Sequence, residues 1–381
     1  MTYKDNKILE DKKKNIVLFY PYISKKSSKL LKNRLNTRWV GQGPMVDKFE
    51  NEFSKKFLEK KKCIATGSGT DALHLAYLLA GIKKNDEVLV PVFTCTATNI
   101  PLLYIGAKIR FIDINPKTMN ICVEDLKKKV SSKTKAIVCV HYGGNMCDME
   151  EIVKIASKYK IKVIEDAAQA LGGKYLKKKV GTISDFTAFS FQAIKHITTG
   201  DGGLLAFKNQ RLYQKAKRLR WFGIDREKKQ NGTWENDIFE IGYKYQMTDI
   251  GACLGLLGLK DFEKILAHRR KIYKYYLNSF SKNKSITCIH DHSYKNNTAA
   301  WLFTIVSKNK DQIQRLLKKN NIETNQVHFR NDKYSIFKNF VRKGQSFKNM
   351  DYLEDKYLVL PVHTKLTIKD AKKITELVNS I

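Results

Sequence analysis

The sequence predicts an α/β fold: a large, mainly parallel sheet covered by helices, followed by a smaller C-terminal α+β domain. Between about Ile64 and Phe207, short β-rich apolar runs alternate with helical stretches, the rhythm of a parallel sheet with crossover helices. Beyond Leu259 a long, strongly charged helical segment replaces that rhythm, and glycines become sparse. At 381 residues and 43% hydrophobic composition, the chain can bury one large core and a smaller one.

Taken in order, residues 1–15 read as a charged extension, residues 16–260 as the large domain and residues 261–381 as the small one. The strand-like runs are Glu87–Val92, Lys108–Ile112, Ala136–Val140, Lys162–Ile164, Phe186–Phe191 and Gly203–Phe207. Helices are expected between them at Thr70–Ala80, with apolar residues at 72, 73, 75, 76 and 79, and at Met149–Lys158. A charged helix from Asp261 to about Ser279 leads into the small domain. There a strand at Ala300–Val306 and helices at Gln312–Asn320 and Ile368–Val378 are expected. In such sheets ligands bind beyond the carboxyl ends of the strands, so the chemistry is sought there.

Composition excludes several classes. No stretch reaches the roughly 18 apolar residues of a membrane span, since Pro91, Pro101, Lys108 and Arg110 interrupt the longest candidate. Met1 to Asn15 is too charged for a secretory signal, which points to the cytoplasm. The seven cysteines form no C-x-x-C pair and read as free thiols in a reducing compartment; His290 and His292, a lone H-x-H, read as surface. The net charge of +34 raises nucleic-acid binding. The lysines are spread along the whole chain, however, and lysine, asparagine and isoleucine are abundant together, as A/T-rich codons would produce. No specific nucleic-acid partner is expected. A positive field still favours approach of an anionic substrate.

Three segments carry chemistry. Ala65-Thr66-Gly67-Ser68-Gly69-Thr70-Asp71 is a glycine- and hydroxyl-rich turn opening onto an amphipathic helix. Free N–H groups of a first helical turn and the helix dipole make an anion site; a plain N-cap is the ordinary alternative. The segment lacks the spacing of a P-loop or a dinucleotide fingerprint. Val163-Ile164-Glu165-Asp166 ends an apolar strand in two carboxylates that must face opposite ways. One of them can meet a protonated ring nitrogen and keep that ring an electron acceptor, or either can simply cap the next turn. In Phe189-Ser190-Phe191-Gln192-Ala193-Ile194-Lys195, Lys195 sits between apolar runs and ahead of Gly200-Asp201-Gly202-Gly203. A lysine in such surroundings has a lowered pKa and attacks aldehydes, and the Ser190 hydroxyl can donate to a nearby phosphate. Together they supply a phosphate cradle, an acid for a ring nitrogen and an amine for an aldehyde. The interval from Asp166 to Lys195 leaves room for a hairpin that brings the chain back to one crevice.

On these motifs the sequence resembles the DegT/DnrJ/EryC1/StrS family, the sugar-nucleotide aminotransferases of pyridoxal-phosphate fold type I. The resemblance runs from about Tyr20 to the C-terminus. It adds Trp39-Val40-Gly41-Gln42-Gly43-Pro44, Glu165-Asp166-Ala167-Ala168-Gln169 and Gly242-Tyr243-Lys244-Tyr245-Gln246-Met247-Thr248-Asp249. It implies pyridoxal 5'-phosphate on Lys195 as a Schiff base, Asp166 on the pyridine nitrogen and Gln169 on the ring hydroxyl. Gly69, Thr70 and Ser190 would hold the phosphate. It also implies a homodimer with shared active sites, glutamate as amino donor with 2-oxoglutarate as its product, and a nucleotide-linked keto-sugar as acceptor, the amino sugar serving surface glycan synthesis. A non-nucleotide, cyclitol-like keto compound is the alternative acceptor. A regulatory or nucleic-acid-binding relative without turnover is the alternative from another class.

Two positions depart from the family pattern. Where Lys244 stands the family usually has an asparagine that reaches across the dimer to the cofactor phosphate, a contact a lysine would make with full charge. Where Cys95 stands it usually has an aromatic residue stacked on the cofactor. Family members that dehydrate a keto-sugar at C3 carry histidine in place of the lysine, so Lys195 points to amino transfer. His141, Tyr142 and Arg226 are further residues that could face the crevice or the diphosphate, with core or loop roles equally open for the first two.

Overall fold

The computed structural model describes residue 12 and residues 14–235, 237–291 and 296–381. Most of the N-terminal extension, and His292 of the H-x-H, lie outside these. Helices α1 (Ser27–Leu35) and α2 (Pro44–Phe57) precede the first strand. Then come β1 (Cys63–Thr66), α3 (Gly69–Leu79), β2 (Glu87–Pro91), α4 (Thr96–Ile105), β3 (Lys108–Ile112), α5 (Val123–Lys129), β4 (Thr134–Val140), α6 (Met149–Tyr159) and β5 (Lys162–Asp166). A small hairpin of β6 (Lys174–Tyr175) and β7 (Lys178–Lys179) leads to β8 (Phe186–Ser190) and β9 (Gly203–Phe207). Beyond lie α7 (Tyr213–Arg220), α8 (Arg226–Gln230), α9 (Asp249–Phe280), β10 (Thr287–Ile289), β11 (Phe303–Val306), α10 (Lys310–Lys319), α11 (Lys348–Leu353), β12 (Tyr357–Leu360) and α12 (Ile368–Asn379).

Seven strands form the main sheet in the order β1-β9-β8-β5-β4-β2-β3. From β3 to β8 the pairings are parallel; β9 runs antiparallel to both β8 and β1. Helices cover both faces, which is why the strands read as continuous apolar runs instead of alternating ones. In β4, Ala136 and Val138 enter one core with Ile164, while Ile137 and Cys139 enter another with Val163. The C-terminal part builds its own antiparallel sheet, β10-β11-β12. Its core joins Ile305, Leu358 and Leu360 to Ile272, Tyr276 and Phe280 of α9 and to Ile374 and Val378 of α12. Among the described residues no helix is long and apolar enough to cross a membrane, and no cluster of His, Cys, Asp or Glu is arranged to hold a metal.

The long helix starts at Asp249, earlier than the Asp261 expected from its charge pattern. Thr248 caps it, its hydroxyl accepting from the Gly251 amide. Gly251, Gly255 and Gly258 hide the helical start from a reading based on apolar spacing, and packing explains them. A Cβ on Gly258 would lie 2.7 Å from Ile197 Cβ, and one on Gly255 would lie 2.7 Å from Phe49 Cε2. The first turns of α9 thus lie hard against the segment that carries Lys195. We expect Gly258→Ala to destabilise the fold by about 1–3 kcal/mol through overpacking, although alanine is the better helix former by about 1 kcal/mol. Thermal unfolding checks this, and an unchanged or raised Tm would contradict the close approach.

Candidate active site

On one side of the main sheet the chain leaving the carboxyl ends of β1, β2, β5 and β8 converges. Between them and the small sheet lies a cavity of about 370 Å³ lined, among others, by Gly69, Thr70, Cys95, Asp166, Gln169, Ser190, Lys195, Trp301 and His328. Segments that are remote in sequence, the three chemical motifs included, therefore meet in one place.

The first wall is the N-terminus of α3. Ser68 caps it, its hydroxyl accepting from the Asp71 amide at 3.0 Å. Gly69 packs directly on β8, because a Cβ there would come within 2.9 Å of Ser190 Cβ. Gly69, Thr70 and Ser190 thus border the cavity at the positive end of a helix, a place suited to a phosphate.

The two carboxylates closing β5 do face opposite ways. Asp166 lines the cavity, its Oδ2 accepting from Thr98 Oγ1 at 2.7 Å and its Oδ1 from the Ala168 amide at 3.0 Å. Thr98 is itself held by Thr94 at 2.8 Å. Glu165 turns away and is fully buried against His141 Nε2 at 2.8 Å. His141 Nδ1 accepts from the Cys147 amide at 3.1 Å, so its proton sits on Nε2 toward Glu165. Tyr142, also buried, shares a hydrogen bond of 3.1 Å with Thr304. Neither lines the cavity: both serve the packing beneath it.

Gln169 is oriented from both ends. Its Oε1 accepts from the Gly143 amide at 2.7 Å, leaving Nε2 to donate to His328 Nε2 at 3.1 Å. Burial, reinforced by the charge of Lys195, pulls the His328 imidazole down to about 3, so it is neutral and can accept that bond. His328 and Trp301 went unnoticed in the sequence, where no spacing ties either to the first three motifs. Cys95 stands exposed ahead of α4 at the cavity rim, so the aromatic lining comes instead from Phe19, Phe189 and Trp301.

Lys195 projects from the turn between β8 and β9. The turn is pinned by the Lys195 amide donating to Gln192 O at 2.9 Å, and by His196 Nε2 against Ala299 O at 2.6 Å. His196 therefore points away from the cavity. Burial lowers the Lys195 ammonium to about 8, helped by Arg269 and opposed by Cys95 and Asp166. Its neutral, nucleophilic form then predominates above about pH 8. In cofactor-free protein, we expect the rate of aldehyde addition at Lys195 to rise about tenfold per pH unit up to that point and then level off. A rise continuing to the ordinary lysine value of 10.5 would contradict the assignment.

Two residues lie elsewhere. Lys244 is exposed and outside the cavity, its Nζ 5.2 Å from the Phe222 ring centroid. Arg226 lines a separate cavity of about 400 Å³ beside α2 and α7, with Nη2 donating to Gln42 O at 2.6 Å.

Comparison with known proteins decides the family. The profile of the DegT/DnrJ/EryC1/StrS aminotransferase family matches residues 21–379. The chain belongs to that family. This aminotransferase is 34% identical over 304 residues to the GDP-perosamine synthase of Escherichia coli O157:H7, covering 80% of this chain and 81% of that protein. It is also 34% identical over 347 residues to the UDP-4-amino-4,6-dideoxy-N-acetyl-beta-L-altrosamine transaminase of Campylobacter jejuni, covering 89% and 90%. Spr1654 of Streptococcus pneumoniae in its PLP form superposes with a TM-score of 0.88 at 26% identity, covering 96% of this chain and 98% of that one. The aminotransferase is a pyridoxal-phosphate enzyme of the α/β class. Its cavity fits that group: one lining holds the N-terminus of a helix at Gly69, where a side chain would meet Ser190, together with the carboxylate of Asp166 and the amine of Lys195.

Proposed function

We propose that this aminotransferase moves the amino group of glutamate to a keto group on a nucleotide-linked sugar, yielding an amino sugar for surface glycan synthesis. The observation that carries the reading is Lys195: an amine of lowered pKa with no ion-pair partner among the described residues, inside a cavity bounded by an acid and an anion cradle. The relatives named above, acting on GDP- and UDP-linked sugars, support the substrate class.

In this reading Gly69, Thr70 and Ser190 bind the cofactor phosphate, Asp166 holds the ring nitrogen protonated, and Gln169 contacts the ring hydroxyl. Pyridoxal phosphate supplies the aldehyde and the electron-accepting ring. Lys195 provides the amine that anchors the cofactor and, once released, moves the substrate proton as general acid and base. Thr98 Oγ1 and the Ala168 amide, by donating to the two Asp166 oxygens, fix the orientation of that carboxylate. Screening GDP-, UDP- and TDP-linked 3-keto and 4-keto sugars with glutamate, read by mass, tests the reading. Amination of none of them, with amination of a free keto-cyclitol instead, would sink the nucleotide-sugar part of it.

We also place the enzyme in the cytoplasm as a homodimer. Exposed apolar side chains cluster just ahead of Lys244: Trp234 is 74% exposed, Phe239 86% and Ile241 82%. Large hydrophobic side chains exposed together in one stretch of chain are a mark of an interaction surface. A second copy seated there would bring each Lys244 to its partner's cavity. We expect Phe239→Asp with Ile241→Asp to convert a dimer to a monomer in light-scattering measurements; a wild-type chain that is monomeric would refute the arrangement.

A further inference from the structure

Lys195 is a cation in an unusual position. Among the described residues its Nζ has neither a carboxylate partner nor a hydrogen bond. What lies over it is an aromatic face: the centroid of the Trp301 ring is 3.8 Å from Nζ. The indole is held by two contacts and its backbone by a third. Its N–H donates to Ile194 O at 3.0 Å, the carbonyl next to the lysine itself. Phe19 stacks on it, with ring centroids 5.7 Å apart and planes within 23°. The Trp301 backbone amide donates to Gly143 O at 2.9 Å, in the same loop whose Gly143 amide orients Gln169. Trp301 is 2% exposed, so this plate is part of the site's wall and not a surface accident.

We propose that Trp301, braced by Phe19, is a positioning residue that receives the free Lys195 ammonium on its indole face. The inference rests on Lys195 being the reactive amine, and it adds where that amine goes when it carries no bond to the cofactor. A released lysine must take up and return a proton while staying within reach of the substrate. A carboxylate beside it would hold the ammonium too firmly and raise its pKa, whereas a ring face attracts the cation without accepting its proton. The ring also keeps that part of the cavity apolar, so the attraction is not screened by water. The bond to Ile194 O sets the ring and the lysine backbone in one frame.

Full-length protein stripped of cofactor is treated with trinitrobenzenesulfonate across a pH series, and modification of the Lys195 peptide is read by mass. Trp301→Leu keeps an apolar side chain but removes the face, and its midpoint is expected to fall by about 0.5–1 pH unit below wild type. Trp301→Phe keeps a face, and its midpoint is expected to stay within about 0.3 unit of wild type, a rescue that a merely structural role would not give. An unchanged or raised midpoint in Trp301→Leu, or equal shifts in both variants, would overturn the proposal. Should Trp301→Leu fail to fold, Phe19→Leu removes the brace alone: a smaller shift in the same direction supports the proposal, and no shift overturns it. Because no substrate takes part, these outcomes are independent of which keto-sugar the enzyme accepts.

Discussion

Lys195→Ala is expected to lower glutamate-dependent amination by about 10⁴-fold or more, since one substitution removes both the anchoring amine and the group that moves the proton. Folding should survive, because the amine has no ion-pair or hydrogen-bond partner among the described residues; what is lost is contact with the Trp301 face. The turn itself is held by backbone bonds and by His196, which alanine leaves in place. Two measurements check this. Steady-state assays should show the loss in kcat with an unchanged melting profile. Borohydride reduction of the loaded wild-type enzyme should leave the cofactor on a single peptide containing Lys195. Attachment to any other lysine would remove the basis of the reading.

Asp166→Asn is expected to cost about 10²–10³-fold in kcat, comparable to deleting one strong electrostatic contact aimed at the reacting group. Asparagine preserves volume and can still accept from the Ala168 amide through its oxygen. It cannot accept from Thr98 on the other side, where an amide nitrogen would face the hydroxyl. The uncharged amide no longer holds a ring nitrogen protonated, so the ring loses its capacity to accept electrons. Cofactor should still bind through the cradle at α3, which separates this variant from a misfolded one. Retention of more than about a tenth of wild-type kcat by a cofactor-loaded variant would exclude Asp166 from the role.

How much of this was legible in the sequence depended on whether the signal was local. The β5 strand end was readable, since an apolar run stopping at Glu165-Asp166 marks its own carboxyl end; the β8 run was expected to reach Phe191, and the strand ends one residue earlier, at Ser190. The opposite facing of Glu165 and Asp166 followed from strand geometry alone and is what the structure has. The α-β alternation gave the parallel sheet, but β1 is only four residues long and its antiparallel pairing with β9 had no sequence mark. The start of α9 was hidden because its glycines answer to Ile197 and Phe49, residues far away in sequence. Trp301 and His328 were invisible for the same reason. Each belongs to the C-terminal part, and each acquires meaning only through a partner, Lys195 or Gln169, more than a hundred residues earlier. The wider resemblance supplied Gln169 and the assignment of Asp166, which residue chemistry alone had left open between two carboxylates.

The 32 residues of α9 also bear on how the cavity behaves once formed. At about 1.5 Å per residue the helix is a rod of about 48 Å. Its first turns press on the Lys195 segment at Gly258 and Ile197, while its last turns sit in the core of the small sheet with Phe303. A rod of this kind resists bending, because flexure strains its internal hydrogen-bond ladder. The segment just ahead of β11 that presents Trp301 and the turn that presents Lys195 are therefore registered against a common stiff member. Their spacing is set when the chain folds, so little ordering is left to be done when cofactor or sugar arrives, and the entropy cost of binding is correspondingly small.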